Sequence, residues 1–230
     1  MENTARPGTY FFYFNLSKPP FDNVLVRQAF AAAIDRETLA KIAAESGVTN
    51  PRPATTFTPP ETLNKDLYNE VGIPFNPAHA KDSLTQAGYA DVSKFPSITL
   101  LILSGDDASI NIANKMAVMW QEYLGVKITV EVLERAAYRD RIKSTPPEIS
   151  YQGWAADYND PDNFLREIFR SDAGFNFSNL SNSEFDNLVD SAGKSNNPAE
   201  RQDLYIQAER ILCETEVTII PIYHATYNIP

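Results

Sequence analysis

The sequence has one cysteine and two histidines in 230 residues. A lone thiol excludes an internal disulfide and any cysteine-based metal cluster. Cys213 falls in an amphipathic helical pattern, which predicts a buried, inert thiol. His79 and His224 lie far apart, and neither has a partner at metal-ligand spacing, so no metal site is expected. His79 reads as a surface residue and His224 as a strand residue. Positive charge is scarce too, with 20 Lys and Arg against 30 Asp and Glu, a formal net charge of -10. No basic patch is dense enough to collect phosphates, which argues against a nucleic-acid partner. No apolar run is long enough to span a bilayer. The opening MENTARPGTYFFYFN lacks the basic start and apolar stretch of a signal peptide.

Motifs of the common chemistries are missing as well. No dinucleotide fingerprint follows a strand, and Gly193-Lys194-Ser195 lacks the upstream glycine of a phosphate loop. No GxSxG elbow holds a nucleophilic serine. No cofactor and no catalytic residue is expected.

What remains is an ordinary globular composition, 43% hydrophobic and 22% charged. TYFFYFN (Thr9–Asn15) is an aromatic run of strand length closed by KPPFDN. Asp22 or Asn23 caps a helix through VLVRQAFAAAI, Asp35 caps RETLAKIAAES, and Gly47 ends it. Residues 48–75 are rich in proline and threonine, a long excursion that must be functional or well packed. Asn76 and Pro77 open a helix that Gly88 stops. SITLLILS reads as a strand buried on both faces. The helix after it carries Ile112, Met116, Met119, Trp120 and Tyr123 on one side, a core stripe. VKITVEVL, AAYRDRIKS, ISYQGW and PDNFLREIF alternate strand and helix, SEFDNLVDSA and PAERQDLYIQAERILCE are helices, and VTIIPIYH (Val217–His224) is a last strand. The alternation predicts an α/β fold with a mixed sheet flanked by helices, and one domain over 1–230.

One stretch stands out. GWAADYNDPDNF sets three aspartates beside Trp154 and Tyr158 at the end of a strand. It fails as a calcium loop: counted from Asp157, the sixth residue is Asp162 rather than glycine and the twelfth is Ile168 rather than glutamate. Asp160, followed by Pro161, reads as the cap of the next helix. Asp157 lies before that cap, where open α/β sheets place ligands, outside the carboxyl ends of strands. Its carboxylate either receives a cation or bonds loop amides or an arginine of its own chain. A carboxylate pair for glycan hydrolysis, Asp157 with Asp160 or Glu167, is the enzymatic alternative.

TYFFYFNLSKPPFDNVLVRQAFAAAIDRE, NPAHAKDSLTQAGY, MWQEYLGVKITVEV, GWAADYNDPDNFL and AERQDLYIQAERILCETEVTIIPIYH resemble, in that order, a family of solute-binding proteins. It is the peptide/nickel ABC-importer class, family 5, which includes dipeptide and oligopeptide binders. The resemblance implies one lobe of a two-lobed, periplasmic-binding-protein-like (type II) fold, cut at two hinge strands. The terminal strands are then expected side by side. It also implies an exported parent, periplasmic or extracellular and in some cases lipid-anchored, that is a monomer handing peptides to an ABC permease. The same fold serves oligosaccharides and nickel chelates. By resemblance, Asp157 pairs with a ligand ammonium, Trp154 lines the pocket and Asn15 faces ligand, with Tyr158 and Ser104 as further candidates. Tyr151 stands where oligopeptide binders carry an arginine for the peptide carboxylate, leaving that anchor without its usual residue. Arg139 and Arg141 are near in sequence but lie on a helix, where solvated arginines are the rule.

Overall fold

A computed structural model of the chain describes residues 4–63 and 70–229. The aromatic run lies at its centre. β1 (Thr4–Phe14) has antiparallel neighbours on both sides, β5 (Ile149–Ala155) and β6 (Ile219–Ile229). Beyond β5 lie β3 (Ile98–Leu103) and β4 (Ile128–Leu133), with β3 parallel to both β4 and β5. A two-residue β2 (Arg52–Pro53) pairs with β6, so the order is β2-β6-β1-β5-β3-β4. The sheet is mixed, as expected. The two terminal strands are direct neighbours, with Thr9 opposite His224 and Tyr13 opposite Ile219.

Side chains of a strand alternate, so the run divides between two cores. Tyr10, Phe12 and Phe14 enter the first, under α1 (Val24–Ala32), α2 (Arg36–Glu45), α3 (Pro77–Gln86) and α4 (Asp107–Leu124). Phe11 and Tyr13 enter the second, under α6 (Asp162–Phe169), α7 (Ser183–Lys194) and α8 (Pro198–Arg210). Helices on both faces are what a strand apolar at every position requires. α5 (Arg135–Ser144) differs: none of its residues is buried, and Ile142 packs it against the second core.

Local signals act largely as read. Asn23 rather than Asp22 caps α1, Asp35 caps α2 and Asn76 caps α3. Gly47 and Gly88 turn the chain at φ 95, a conformation that favours glycine. Ile112, Met116, Met119 and Trp120 are buried, and the Trp120 indole N–H donates to the Phe30 carbonyl at 2.9 Å. The long excursion, whose residues 64–69 lie outside the described ones, is well packed where described. Phe57 is buried in the second core, and the buried Glu209 carboxylate accepts from the Phe57 and Thr58 amides. The last strand begins later than the sequence suggests, at Ile219. A π-helical turn (Ile211–Thr215) follows α8, and Val217, at φ 45, must redirect the chain first. Cys213 sits buried in that turn, its thiol pushed well up by burial and by Glu209.

Candidate functional site

The site arises where two parallel strands part. α4 joins β3 to β4 on the first-core face, whereas α5 joins β4 to β5 with Ile142 against the second core. The chain thus leaves β3 on one face and returns to β5 on the other. That makes the carboxyl ends of β3 and β5 a topological switch point, the usual position of a ligand crevice. β3 pairs with β5 only at Leu100–Ile149 and Leu101–Ser150. From Tyr151 onward β5 keeps β1 on one side and, among the described residues, has no strand on the other. A cleft of about 420 Å³ opens there. Its walls are aromatic: Tyr13, Tyr138, Tyr151, Trp154, Phe175 and Phe177. Arg135, Arg139 and Lys143 of α5 line the same cleft.

Trp154 and Tyr151 both border this cleft, the Trp154 ring packing on the second core and the Tyr151 ring on the first. The Trp154 indole N–H donates to Asn163 Oδ1 at 3.0 Å, and the Asp157 amide donates to the same oxygen at 3.0 Å. Asn163 is buried in the first turn of α6, so one side chain fixes both the ring and the start of the aspartate turn. Trp154 also leans on Phe175 with ring centres 5.4 Å apart. Tyr151 stacks on Tyr10 at 4.7 Å, its carbonyl accepts from the Tyr138 hydroxyl at 2.8 Å, and burial raises its own hydroxyl pKa. A Cβ at Gly153 would stand 3.2 Å from that Tyr151 hydroxyl, so the glycine leaves room for the ring.

Asp157 stands at the mouth of the strand end with 68% of its side chain exposed, 3.3 Å from the Arg6 guanidinium. An arginine of its own chain does meet it. A pair this exposed is worth at most about 1 kcal/mol and leaves the carboxylate open to solvent. Tyr158 is exposed, and its hydroxyl donates to Asp162 at 3.0 Å. Partial burial and that carboxylate push its pKa up to about 12.

Three expectations need correction. Asn15 does not reach this cleft. The β1–β5 register puts it beyond Phe14 at the Ile149 end, roughly 20 Å from the Trp154 end at ~3.3 Å per residue. Its amide is buried and fully engaged with Pro147, Ser17 and Asn179. Asp160 is not the assigned cap of α6, which starts at Asp162 behind Pro161. It accepts from the Asp162 amide at 2.8 Å, but both its oxygens also grip Arg201 of α8 at 2.7 and 2.8 Å. Arg139 and Arg141 of α5 also differ. Arg141 pairs with Glu131 at 3.3 Å, while Arg139 faces the cleft. Ser104 sits just past β3 with its amide bonded to the Leu133 carbonyl, beside the cleft-lining Leu103 but not itself in the lining. The reading of the sequence missed Asn163, Phe175, Phe177 and Arg135. The spacing 135, 139, 143 is one helical face and was the available signal.

The cleft at the switch point is aromatic and lined by three cations, and the exposed Asp157 carboxylate stands beyond its lining, past the end of β5. Comparison with known proteins gives the class of protein. The description "Bacterial extracellular solute-binding proteins, family 5 Middle" matches residues 1–176, and the chain belongs to that family. It is a family of binding proteins rather than enzymes, which sets the glycan-hydrolase alternative aside. The chain is 33% identical over 95% of its length to the "Probable deoxycholate-binding periplasmic protein YgiS" of Escherichia coli. It is 30% identical over 95% to the oligopeptide-binding protein OppA of Bacillus subtilis. The structure of the E. coli murein tripeptide-binding protein MppA superposes with a TM-score of 0.82 over 97% of this chain and 43% of that one, at 29% identity. The chain spans 40% of the length of both curated relatives. Relatives of this kind are periplasmic or extracellular, and most bind peptides.

Proposed function

We propose that residues 1–230 form one lobe of an extracytoplasmic receptor that captures short peptides and delivers them to an ABC permease. The observation that carries this reading is the conjunction at the end of β5. The edge from Gln152 to Ala155, past the Tyr151 carbonyl that Tyr138 occupies, can add a peptide as a further strand, bonding its backbone without reading its side chains. Trp154 and Tyr151 line the cleft beside that edge, Tyr158 stands exposed beyond the lining, and Asp157 stands at the strand's end to accept the peptide ammonium in a charge-assisted bond. In the whole protein a second lobe would close over the cleft, and the closed form is what a permease would recognise. Such a receptor works as a monomer outside the cytoplasm, soluble in a periplasm or lipid-anchored.

The test is calorimetric titration of the full-length protein with matched free and N-acetylated peptides. Acetylated forms should bind poorly to the wild type. Asp157→Asn should weaken the free peptide by roughly 2–5 kcal/mol and narrow the gap between the two forms. Equal losses for both would mean that Asp157 only holds its turn. No peptide binding by the wild type would transfer the cargo to a sugar, a metal chelate or another solute.

A further inference from the structure

α5 is an unusual helix for its position. Arg135, Arg139 and Lys143 are spaced at four-residue steps along one face, all exposed, and all line the aromatic cleft. None of the three has an ion-pair partner among the described residues, whereas Arg141, off the cleft, is paired with Glu131. In a chain with a formal charge of -10, three unpaired cations against an apolar wall run against the average. Helix stability does not explain them. Arg135 is the first residue of α5, where the helix dipole disfavours a cation, and Glu134 at the cap, the acidic residue beside it, makes no ion pair with it among the described residues. Lys143, in the last turn, is the one of the three that the dipole favours.

We propose that Arg135, Arg139 and Lys143 make the cleft a seat for a ligand carboxylate, so that the cargo carries a carboxylate next to a broad apolar body. The inference rests on the solute-binding reading of the cleft. The chemistry follows from the two linings. Tyr138, Trp154, Phe175 and Phe177 provide flat apolar contact, and Phe175 and Phe177 are 49% and 40% exposed without a ligand to cover them. A guanidinium next to such walls meets a carboxylate with less competition from water, and its planar fork suits both oxygens. α5 brings these cations to the cleft that Tyr151 and Trp154 also border. Two sources supply this chemistry: the C-terminus of a peptide ending in a large apolar residue, or a non-peptide amphipathic acid such as a bile salt.

The experiment is calorimetric titration of the full-length protein with short peptides ending in phenylalanine, as free acids and as C-terminal amides, beside deoxycholate and its methyl ester. The acid of at least one pair should bind about tenfold or more tighter than its neutral counterpart. Arg135→Gln with Arg139→Gln should lower the acid's affinity about tenfold and leave the neutral form within about twofold. Arg141→Gln, which alters a pair outside the cleft, should leave the ratio unchanged, and thermal unfolding should show all variants folded. Acid and amide of equal affinity would overturn the inference while leaving the peptide reading intact. A bile-salt preference that depends on α5, with no peptide binding, would uphold it and overturn the peptide cargo. Failure of every probe to bind would overturn both.

Discussion

The two ends of β5 are made of similar residues and do opposite things. At the Ile149 end the polar side chains of the turn after β1 are used within the chain. Asn15 joins Ser17, Pro147 and Asn179, and Lys18 reaches Glu148 at 2.9 Å and the Pro146 carbonyl at 2.7 Å. The second Glu148 oxygen accepts from the Thr99 amide, and Lys18 and that amide together hold the carboxyl below its ordinary pKa against the effect of burial. At the Trp154 end the edge of the strand lacks a strand partner, Phe175 and Phe177 are exposed, and Arg135, Arg139 and Lys143 have no ion-pair partner among the described residues. A closed network specifies a fold, whereas unspent hydrogen-bonding and charge are what a ligand can use. Backbone pairing accounts for the contrast: β3 pairs with β4 along its whole length but with β5 at only two residues.

The contrast breaks most visibly through Asn15. Asn15→Ala should lower stability by about 2 kcal/mol, because it removes the buried amide that ties Ser17, Pro147 and Asn179 together, and should leave ligand affinity nearly unchanged. Trp154→Ala should do the reverse. Urea unfolding beside calorimetry would measure both, and an affinity loss for Asn15→Ala as large as that for Trp154→Ala would erase the distinction between the ends.

The second test is acid. His224 lies across β1 from Trp154, since Thr9 is opposite both. Its ring meets Thr9 at 2.8 Å and Thr56 at 3.2 Å, and burial, with Arg52 second, lowers its pKa to about 3. The unfolded chain therefore takes up this proton more readily than the folded one. The contribution to stability is fully present above about pH 6.5 and fades as pH falls toward 3. Between pH 7 and pH 5 it should amount to about 2 kcal/mol. Glu209 acts with the opposite sign: burial raises its pKa, so its contribution is present at low pH and lost as pH rises. The histidine is isolated by comparing the pH slope of the wild type with that of His224→Gln, which should lack this limb. Identical slopes would show that the ring is hydrated after all.

The smallest effect concerns the neighbouring aspartates. Asp160→Ala should lower stability by roughly 1–2 kcal/mol, since it removes a helix-start contact and the hold on Arg201, with little effect on affinity. A large affinity loss at unchanged stability would mean that Asp160 and Asp157 have exchanged roles.

Much of this was legible beforehand because it rests on local rules. Caps at Asn23, Asp35 and Asn76, stops at Gly47 and Gly88, the core stripe from Ile112 to Trp120, and a buried Cys213 follow from side chains acting within a few residues of themselves. The final strand was misjudged by two residues because a π-helical turn, which leaves no clear trace in periodicity, extends α8. Asp160 was misjudged as a simple cap because Arg201 is 41 residues away.

The sequence by itself determined that the chain has an α/β fold, that it opens on an aromatic strand, and that the strand end at Trp154 and Asp157 is a candidate place for a ligand. Alternation, capping and the switch-point rule are sufficient for that, since each depends on residue type and spacing. Only the tertiary structure decided which polar groups are left over for binding. Asn15 is consumed by Pro147 and Asn179, Asp160 by Arg201, and Arg141 by Glu131, while Arg139 remains open to the cleft. The reason is physical: whether a charge is spent or free depends on which residues approach it across the fold, and that distance is not written in its neighbours along the chain.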